Sequence, residues 1–401
     1  MPRVLLLLPT STYRAADFVR AAQRLGVEVV VGSEERQALA HEMDDRALVV
    51  PLSDVPAAVD AIVGLHRRTR IDAVVAVDDQ GVEIAAAAGE RLGLPHNDPA
   101  AAAATRDKSI MRDALARADV PQPRFRVVDD ITHLDRVADD IGFPWVLKPV
   151  GLSASRGVIR ADDSISAMLA AERILAIAEG PILVEEYVPG VEVAVEGLVR
   201  ERGEQVEILA VFDKPDPLEG PYFEETIYVT PSRLDAHTLE IVSMLTARAA
   251  RAIGLTAGPI HAELRIDGQE FWVIEIAARS IGGLCARTLR FGAGIALEEL
   301  ILRDALGLPL TDLEREAAAS GVMMLPIERA GTLEEVRGQD DACAVPGVTG
   351  LEITVPRGRR VVPLPEGDRY LGFLFARGDT PDDVETALRA GYAALDVVVS
   401  S

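Results

Sequence analysis

Apolar and polar positions in the first hundred residues follow two alternating periods. Short aliphatic runs, "RVLLLLP", "VEVVVGS" and "IDAVVAVDD", are separated by stretches with helical spacing, "YRAADFVRAAQRLG" and "GVEIAAAAGERLG", that end in glycine. Continuous apolar runs joined by amphipathic helices predict a parallel α/β sheet. The opening run at 4–8 is stopped by Pro9, too early for a signal-peptide core or a membrane span, and reads as a buried first strand. The turn after it is "PTSTY" and not G-x-G-x-x-G, which disfavours a dinucleotide site.

An alanine-rich helical stretch, "DPAAAAATRDKSIMRDALARADV", then leads to "PQPRF", whose two prolines mark a domain edge. From there to about residue 305, short strands, helices and glycine loops predict a mixed α+β region. Beyond Leu310 the pattern turns strand-rich with Pro and Gly punctuation, before a closing helix "TPDDVETALRAGYAAL" and strand "DVVV". This last part reads as a small separate domain. The expected division is 1–98, 99–310 and 311–401.

Charge narrows the partners. Asp plus Glu number 64 against 41 Lys plus Arg, so the surface should repel polyanions, and neither nucleic acid nor a membrane is an expected partner. Cys285 and Cys343 are too few for a disulfide framework and fit no zinc spacing. A reducing cytoplasm is the expected compartment, and Cys285 is read as a packed small residue and not a nucleophile. Only Lys108, Lys148 and Lys214 are lysines; every other basic residue is arginine. Lysine is a compact charge on a flexible stem, suited to a phosphate oxygen in a tight pocket.

Candidate chemistry clusters around these lysines. Lys148 ends the strand "WVLKP" and precedes a loop of small residues, including Gly151, Ser153, Ala154, Ser155 and Gly157, whose backbone N–H groups and hydroxyls could approach phosphates. A tight hairpin would use the same residues. In "PILVEEYVPGVEVAVEGLV", Glu185 and Glu192 bracket an extended segment suited to an adenine edge and a ribose diol, although a hairpin with solvated acids looks the same. Further on, "PIHAEL" sets His261 and Glu263 on one strand face, and "VIEIAARSIGG" buries Glu275 within an apolar strand before Arg279, Gly282 and Gly283.

Taken in order, Lys108, Lys148 with its loop, "EEYVPGVE", Lys214, "HAE" and "EIAAR" resemble the layout of the ATP-grasp superfamily, in its biotin carboxylase-like and D-alanine:D-alanine ligase-like branches, over nearly the whole chain. "H-x-E" and "E-x-A-A-R" look like the L-amino acid α-ligases, which form dipeptides. The resemblance implies a Rossmann-like N-terminal domain, an ATP-grasp domain with a lid at about 120–181, and a small β-rich C-terminal domain. It implies ATP and Mg²⁺ as cofactors. Lys108, Lys148 and the loop with Ser153 and Ser155 would contact phosphates; Glu185 and the backbone near Glu186 and Val188 would hold adenine, Glu192 the ribose, and Lys214 the terminal phosphate. Glu263 and Glu275 would ligate Mg²⁺. Arg279 would stabilise the acyl phosphate or oxyanion, and His261, Arg279 and Gly283 would border the amino acid pocket, Gly283 leaving a roomier acceptor site. The family usually has asparagine where this chain has Ala277, which removes one oxygen ligand.

The function so implied is ATP-dependent carboxylate-amine ligation through an acyl phosphate, with small-molecule carboxylate and amine substrates, one of them an amino acid. A bicarbonate-using carboxylase or purine-pathway ligase is the alternative enzyme; a nucleotide-binding protein without catalysis is the alternative class. The superfamily often forms dimers, so a homodimer is the expected assembly. A strict Asp267-Gly268 turn would set Glu263 and Glu275 on opposite strand faces. A wider turn or a bulge is therefore expected in this hairpin.

Overall fold

The computed structural model describes residues 1–35 and 46–400. At the N-terminus, four parallel strands lie in the order Ala47–Val49, Glu28–Ser33, Arg3–Leu7, Ala73–Ala76. The first strand is completely buried from Val4 to Leu7 because helices cover both faces of the sheet. Helix Ala15–Leu25 ends at Gly26 in a left-handed conformation, and helix Val55–Arg68 starts at Asp54, whose carboxylate accepts from the Ala57 N–H. The α/β rhythm of this region is thus the one expected.

The middle of the molecule is an antiparallel sheet of eight strands, ordered Glu270–Ala277, Gly258–Asp267, Val191–Arg200, Gln205–Lys214, Ile227–Thr230, Ala319–Leu325, Gly372–Gly378, Val348–Ile353. The last three belong to the segment expected to stand apart. They instead extend the central sheet, because Ile227–Thr230 pairs with Ala319–Leu325 from Ile227↔Met323 to Thr230↔Ser320. A local apolar pattern cannot show which sheet a strand joins. Among the described residues, only a three-stranded sheet, Arg360–Val361, Gly331–Arg337 and Asp396–Ser400, is private to the C-terminal region.

The region expected to form the lid is a second antiparallel sheet, ordered Phe125–Val128, Ile182–Glu186, Trp145–Pro149, Ile159–Ala161, with helices Leu134–Asp140 and Ser164–Ile177 packed on one face. It therefore extends past residue 181, since Ile182–Glu186 is an inner strand. Its core is its own: Trp145, Leu147, Ile174 and Val184 are at most 1% exposed, each contributing about 1.5–3 kcal/mol by burial. The indole N–H of Trp145 donates to the Ile141 carbonyl at 2.8 Å.

Two local features prepare the site. The alanine-rich stretch forms not one helix but two, Pro99–Ala104 and Lys108–Arg117, and the Asp107 carboxylate caps the second by accepting from the N–H groups of Ser109 and Ile110. The break makes Lys108 the first residue of its helix. In the hairpin of Gly258–Asp267 and Glu270–Ala277, the turn residues are Gly268 and Gln269, and the register shifts between Glu263/Leu264 so that Ile274 is the extra residue. That bulge, one of the two devices expected, sets Glu263 opposite Glu275.

Candidate active site

A cavity of about 680 Å³ opens where the N-terminal domain, the lid and the central sheet meet. Among the residues singled out from sequence, Lys108, Lys148, Ser153, Ser155, Glu185, Glu186, Val188, Glu192, His261, Glu263, Glu275, Arg279 and Gly283 all line it. Lys214 does not. Its ammonium lies beneath the floor, 2.7 Å from Glu192 and 3.1 Å from Glu263, with a third contact to Glu225.

Lys148 and Glu185 lie on adjacent lid strands, where the pairings Val146↔Glu185 and Lys148↔Leu183 set them diagonally on one face. Lys148 Nζ is 2.6 Å from Glu185, and Arg112 Nε donates to the other carboxylate oxygen at 2.5 Å. Burial acts to raise the Glu185 pKa, yet the two cations hold it at about 2. The Glu185 carboxylate is thus engaged by protein cations. Nearby, the Glu186 N–H donates to the Arg124 carbonyl and the Tyr187 N–H to the Pro144 carbonyl, while the Val188 carbonyl accepts from Arg265. Glu192 is held from both sides, by Lys214 and by Arg265 at 2.9 Å.

Arg112 is a residue the motif reading missed. It is fully buried, and its guanidinium also donates to the carbonyls of Val273 at 3.0 Å and Ile274 at 2.7 Å. It therefore ties the lid's Glu185 to the bulge that orients Glu275. A clue existed: Arg112 stands four residues after Lys108, on the same helical face. Lys108 itself donates to the Leu152 carbonyl at 2.6 Å and meets Glu275 at 3.3 Å.

The tightest convergence of carboxylates among the described residues is Glu192, Glu225 and Glu263, with one oxygen from each lying within 4.8 Å of the others. Lys214 contacts all three, and its charge is stabilised there: burial opposes it, but the three carboxylates keep its pKa well above the usual value. Burial drives Glu225 up to about 7 against the pull of Lys214. Glu263 is displaced the other way; burial works against its charge, but Lys214 and His261 outweigh it. His261, opposite Ala277 in the hairpin, donates from Nδ1 to Glu196 at 2.6 Å and lies 3.5 Å from Glu263 through Nε2. Burial disfavours its cation, but the two carboxylates raise its pKa to about 9. Glu196 also went unnoticed, although an acid inside an apolar strand is the signal that exposed Glu275.

Arg279 follows the end of its strand and forms a two-point ion pair with Asp79, at 2.9 and 3.1 Å. Asp79 sits just beyond the parallel strand Ala73–Ala76, at the carboxyl edge where open α/β sheets hold ligands. Burial would raise its carboxyl, but Arg279 and Arg106, with a Ser153 hydrogen bond, keep it well below the usual range. In the loop over the cavity, Ala154, Ser155 and Gly157 have φ of 58°, 53° and 71°. Within this turn the N–H groups of Gly157 and Val158 already donate to the carbonyls of Pro365 and Ser155, at 2.9 and 3.1 Å.

The expected extra room at Gly283 is not what the structure offers. Its φ is +57°, and a Cβ there would stand 2.7 Å from the Phe373 ring. The missing side chain makes way for Phe373, not for a ligand.

A three-part molecule with a two-sheet nucleotide cleft, a lid and convergent lysines and acids defines the ATP-grasp fold. The comparisons agree: residues 141–288 match the ATP-grasp domain, 19–96 the ATP-grasp N-terminal domain and 323–400 the L-amino acid ligase C-terminal domain 2. The chain thus carries an ATP-grasp domain preceded by the matching N-terminal domain and followed by a region matching the C-terminal domain of L-amino acid ligases. The crystal structure of L-amino acid ligase from Bacillus licheniformis superposes with a TM-score of 0.83 at 24% identity, covering 100% of this chain and 99% of that one. Carboxyaminoimidazole ribonucleotide synthase from Aspergillus clavatus, crystallised with ATP, gives 0.77 at 17% identity and covers 98% of each chain. Alanine--anticapsin ligase of Bacillus subtilis (strain 168) is 28% identical over 268 residues, 61% of this chain and 56% of that protein. No helix among the described residues is long and apolar enough to cross a membrane.

Proposed function

We propose that the protein is an ATP-dependent carboxylate-amine ligase that joins an amino acid to a second small molecule through an acyl phosphate, releasing ADP and phosphate. The observation that carries this reading is the convergence in one cavity of Lys108 and Lys148, the bulge-paired Glu263 and Glu275, and Arg279. The named relatives that ligate amino acids and the C-terminal domain match support the substrate class.

The residues present fit the cofactors. Two buried ammonium groups beside a small-residue loop suit a polyphosphate. Glu263 and Glu275, facing each other across the bulge, offer the oxygen donors a hard divalent cation prefers. ATP would supply the phosphoryl group that activates the carboxylate, and Mg²⁺ would neutralise phosphate charge. The chain's own part is positioning. Lys108 and Lys148 hold phosphate oxygens, Glu185 fixes Lys148, and Arg279, aligned by Asp79, stabilises negative charge on the activated carboxylate. His261 is kept cationic by Glu196 and adds positive charge at the same end. Closure of the lid excludes water, protecting the acyl phosphate from hydrolysis.

The test is phosphate release from ATP and Mg²⁺ with amino acids supplied singly and in pairs, for the wild type and Lys148→Met. Release that depends on a pair, and that falls by about 100-fold or more in the variant, is expected. A fully active variant would sink the phosphate assignment, and no release with any pair would sink the substrate class.

A further inference from the structure

Arg14 ends the first βα turn, immediately before helix Ala15–Leu25, and is 1% exposed. A guanidinium so placed loses its hydration and must be compensated by fixed partners. Nη1 donates to the Val77 carbonyl at 3.1 Å and, at the longer distance of 3.5 Å, to the Ser280 carbonyl; Nη2 donates to the Ser280 hydroxyl at 2.7 Å. Val77 stands two residues before Asp79, and Ser280 directly follows Arg279. Arg14 itself is not among the residues that line the cavity. We propose that Arg14 is a positioning residue for the Asp79–Arg279 pair, a single guanidinium that fixes both backbones from which the pair reaches the cavity. The inference rests on the ligase reading above and adds to it a residue that acts without touching substrate.

The two members of the pair lie 200 residues apart and ride on separate turns, Asp79 after the parallel strand Ala73–Ala76 and Arg279 after Glu270–Ala277. Such a pair is aligned only as well as the turns that carry it. Two arginines meet at Ser280: its carbonyl accepts from Arg279 Nη1 at 3.1 Å and its hydroxyl from Arg14. At the next residue the Ile281 N–H donates to one oxygen of Glu196 at 3.0 Å, while the other oxygen accepts from His261. The segment after Arg279 is therefore held at consecutive residues, from the N-terminal domain by Arg14 and from the central sheet by Glu196. Both attachments are buried, where hydrogen bonds to charged groups are strongest.

Arg14 is in turn held by its surroundings. Glu298, in the first turn of helix Leu297–Ala305, lies 3.8 Å from Nη2, and the guanidinium carbon lies 5.1 Å from the centre of the Phe18 ring. Nε has no hydrogen-bond partner, a cost that an apolar side chain filling the same space would avoid. Packing alone thus gives no reason for arginine here; the bonds to Val77 and Ser280 do. Lysine could answer the charge of Glu298 but could not span both segments in the same way, because an ammonium is a point charge and a guanidinium a planar fork.

The experiment measures kcat and KM for phosphate release with ATP, Mg²⁺ and amino acids supplied in pairs, in the wild type, Arg14→Lys, Asp79→Asn and the double variant, at a temperature where circular dichroism shows each to be folded. Arg14→Lys should lower kcat by about tenfold and leave KM for ATP within about twofold of the wild type. Because Arg14 acts through the Asp79–Arg279 pair, the losses should not multiply, and the double variant should stay within about threefold of Asp79→Asn alone. A side chain that only stabilised the fold would show no such coupling. Should Arg14→Lys fail to fold, Ser280→Ala removes just the hydroxyl acceptor and should lower kcat by about threefold, again without multiplying the effect of Asp79→Asn. Losses that multiply, or an unchanged kcat in the folded variants, would overturn the inference and leave the ligase reading intact. No release by the wild type with any pair would overturn both.

Discussion

Arg112→Met asks whether a side chain out of solvent's reach sets the geometry of the hairpin that carries Glu263 and Glu275. Methionine keeps the helix propensity and much of the volume, so what is lost is polar. The guanidinium serves one carboxylate oxygen of Glu185 and the carbonyls of Val273 and Ile274. Breaking a buried ion pair from one side costs about 3–5 kcal/mol; Lys148 remains beside Glu185, which argues for the lower figure. Each orphaned carbonyl adds about 1 kcal/mol. The sum, roughly 5 kcal/mol, should lower the thermal midpoint by about 10 °C at about 2 °C per kcal/mol.

The effect should also depend on pH. In the folded chain the Glu185 carboxyl sits at about 2 against an ordinary 4.5, a difference equivalent to about 3 kcal/mol. Because the folded value is the lower one, this stabilisation is present above pH 4.5 and is lost as pH falls toward 2. Without Arg112 the folded value rises, so the gap between wild type and variant should narrow over that interval. Thermal melts followed by circular dichroism from pH 7 to pH 3 check both points. Equal midpoints at pH 7, or a gap that stays constant with pH, would refute the reasoning.

Three further predictions concern the site. Glu275→Gln should raise the Mg²⁺ concentration needed for half-maximal phosphate release by about tenfold, and an unchanged metal dependence would remove Glu275 from the ligand set. Asp79→Asn leaves Arg279 without its two-point partner and should reduce kcat/KM by about 10- to 100-fold with little change in ATP affinity; unaltered kinetics would mean that Arg279 is aligned by something else. Gly283→Ala forces a Cβ into the Phe373 ring at a left-handed backbone position and should destabilise the protein by about 1–3 kcal/mol, a loss that denaturant unfolding would detect or disprove.

Much of the site could be read from the chain because its chemistry is local. Glu275 is conspicuous as an acid inside an apolar strand, and Lys108, Lys148 and Lys214 stand out in a chain that otherwise uses arginine. The partners were harder to find. Arg112 reads as one more surface arginine on an amphipathic helix, yet it is fully buried, because strand Glu270–Ala277 and lid strand Ile182–Glu186 converge on it from 161 and 73 residues away along the chain. Lys214 shows the reverse error. Its presence was legible, but its position under the carboxylates and not among the cavity-lining residues depends on how three separate strands pack.

The sequence by itself determined the elements and the faces they bury, since apolar periodicity is a property of consecutive residues: the parallel α/β start, the closing helix Pro381–Ala393, and the order of the motifs along the chain. It also indicated that the hairpin of Glu263 and Glu275 departs from a strict two-residue turn, since strand alternation then brings both carboxylates to one face only through a wider turn or a bulge. Tertiary structure decided where the irregularity falls. It chose a bulge at Ile274 clasped by Arg112, recruited the C-terminal strands into the central sheet, and brought Asp79 from the N-terminal domain to Arg279. Strand neighbours and buried ion pairs are selected by hydrogen-bond ladders and charge compensation between distant segments, and these exist only once the chain has folded.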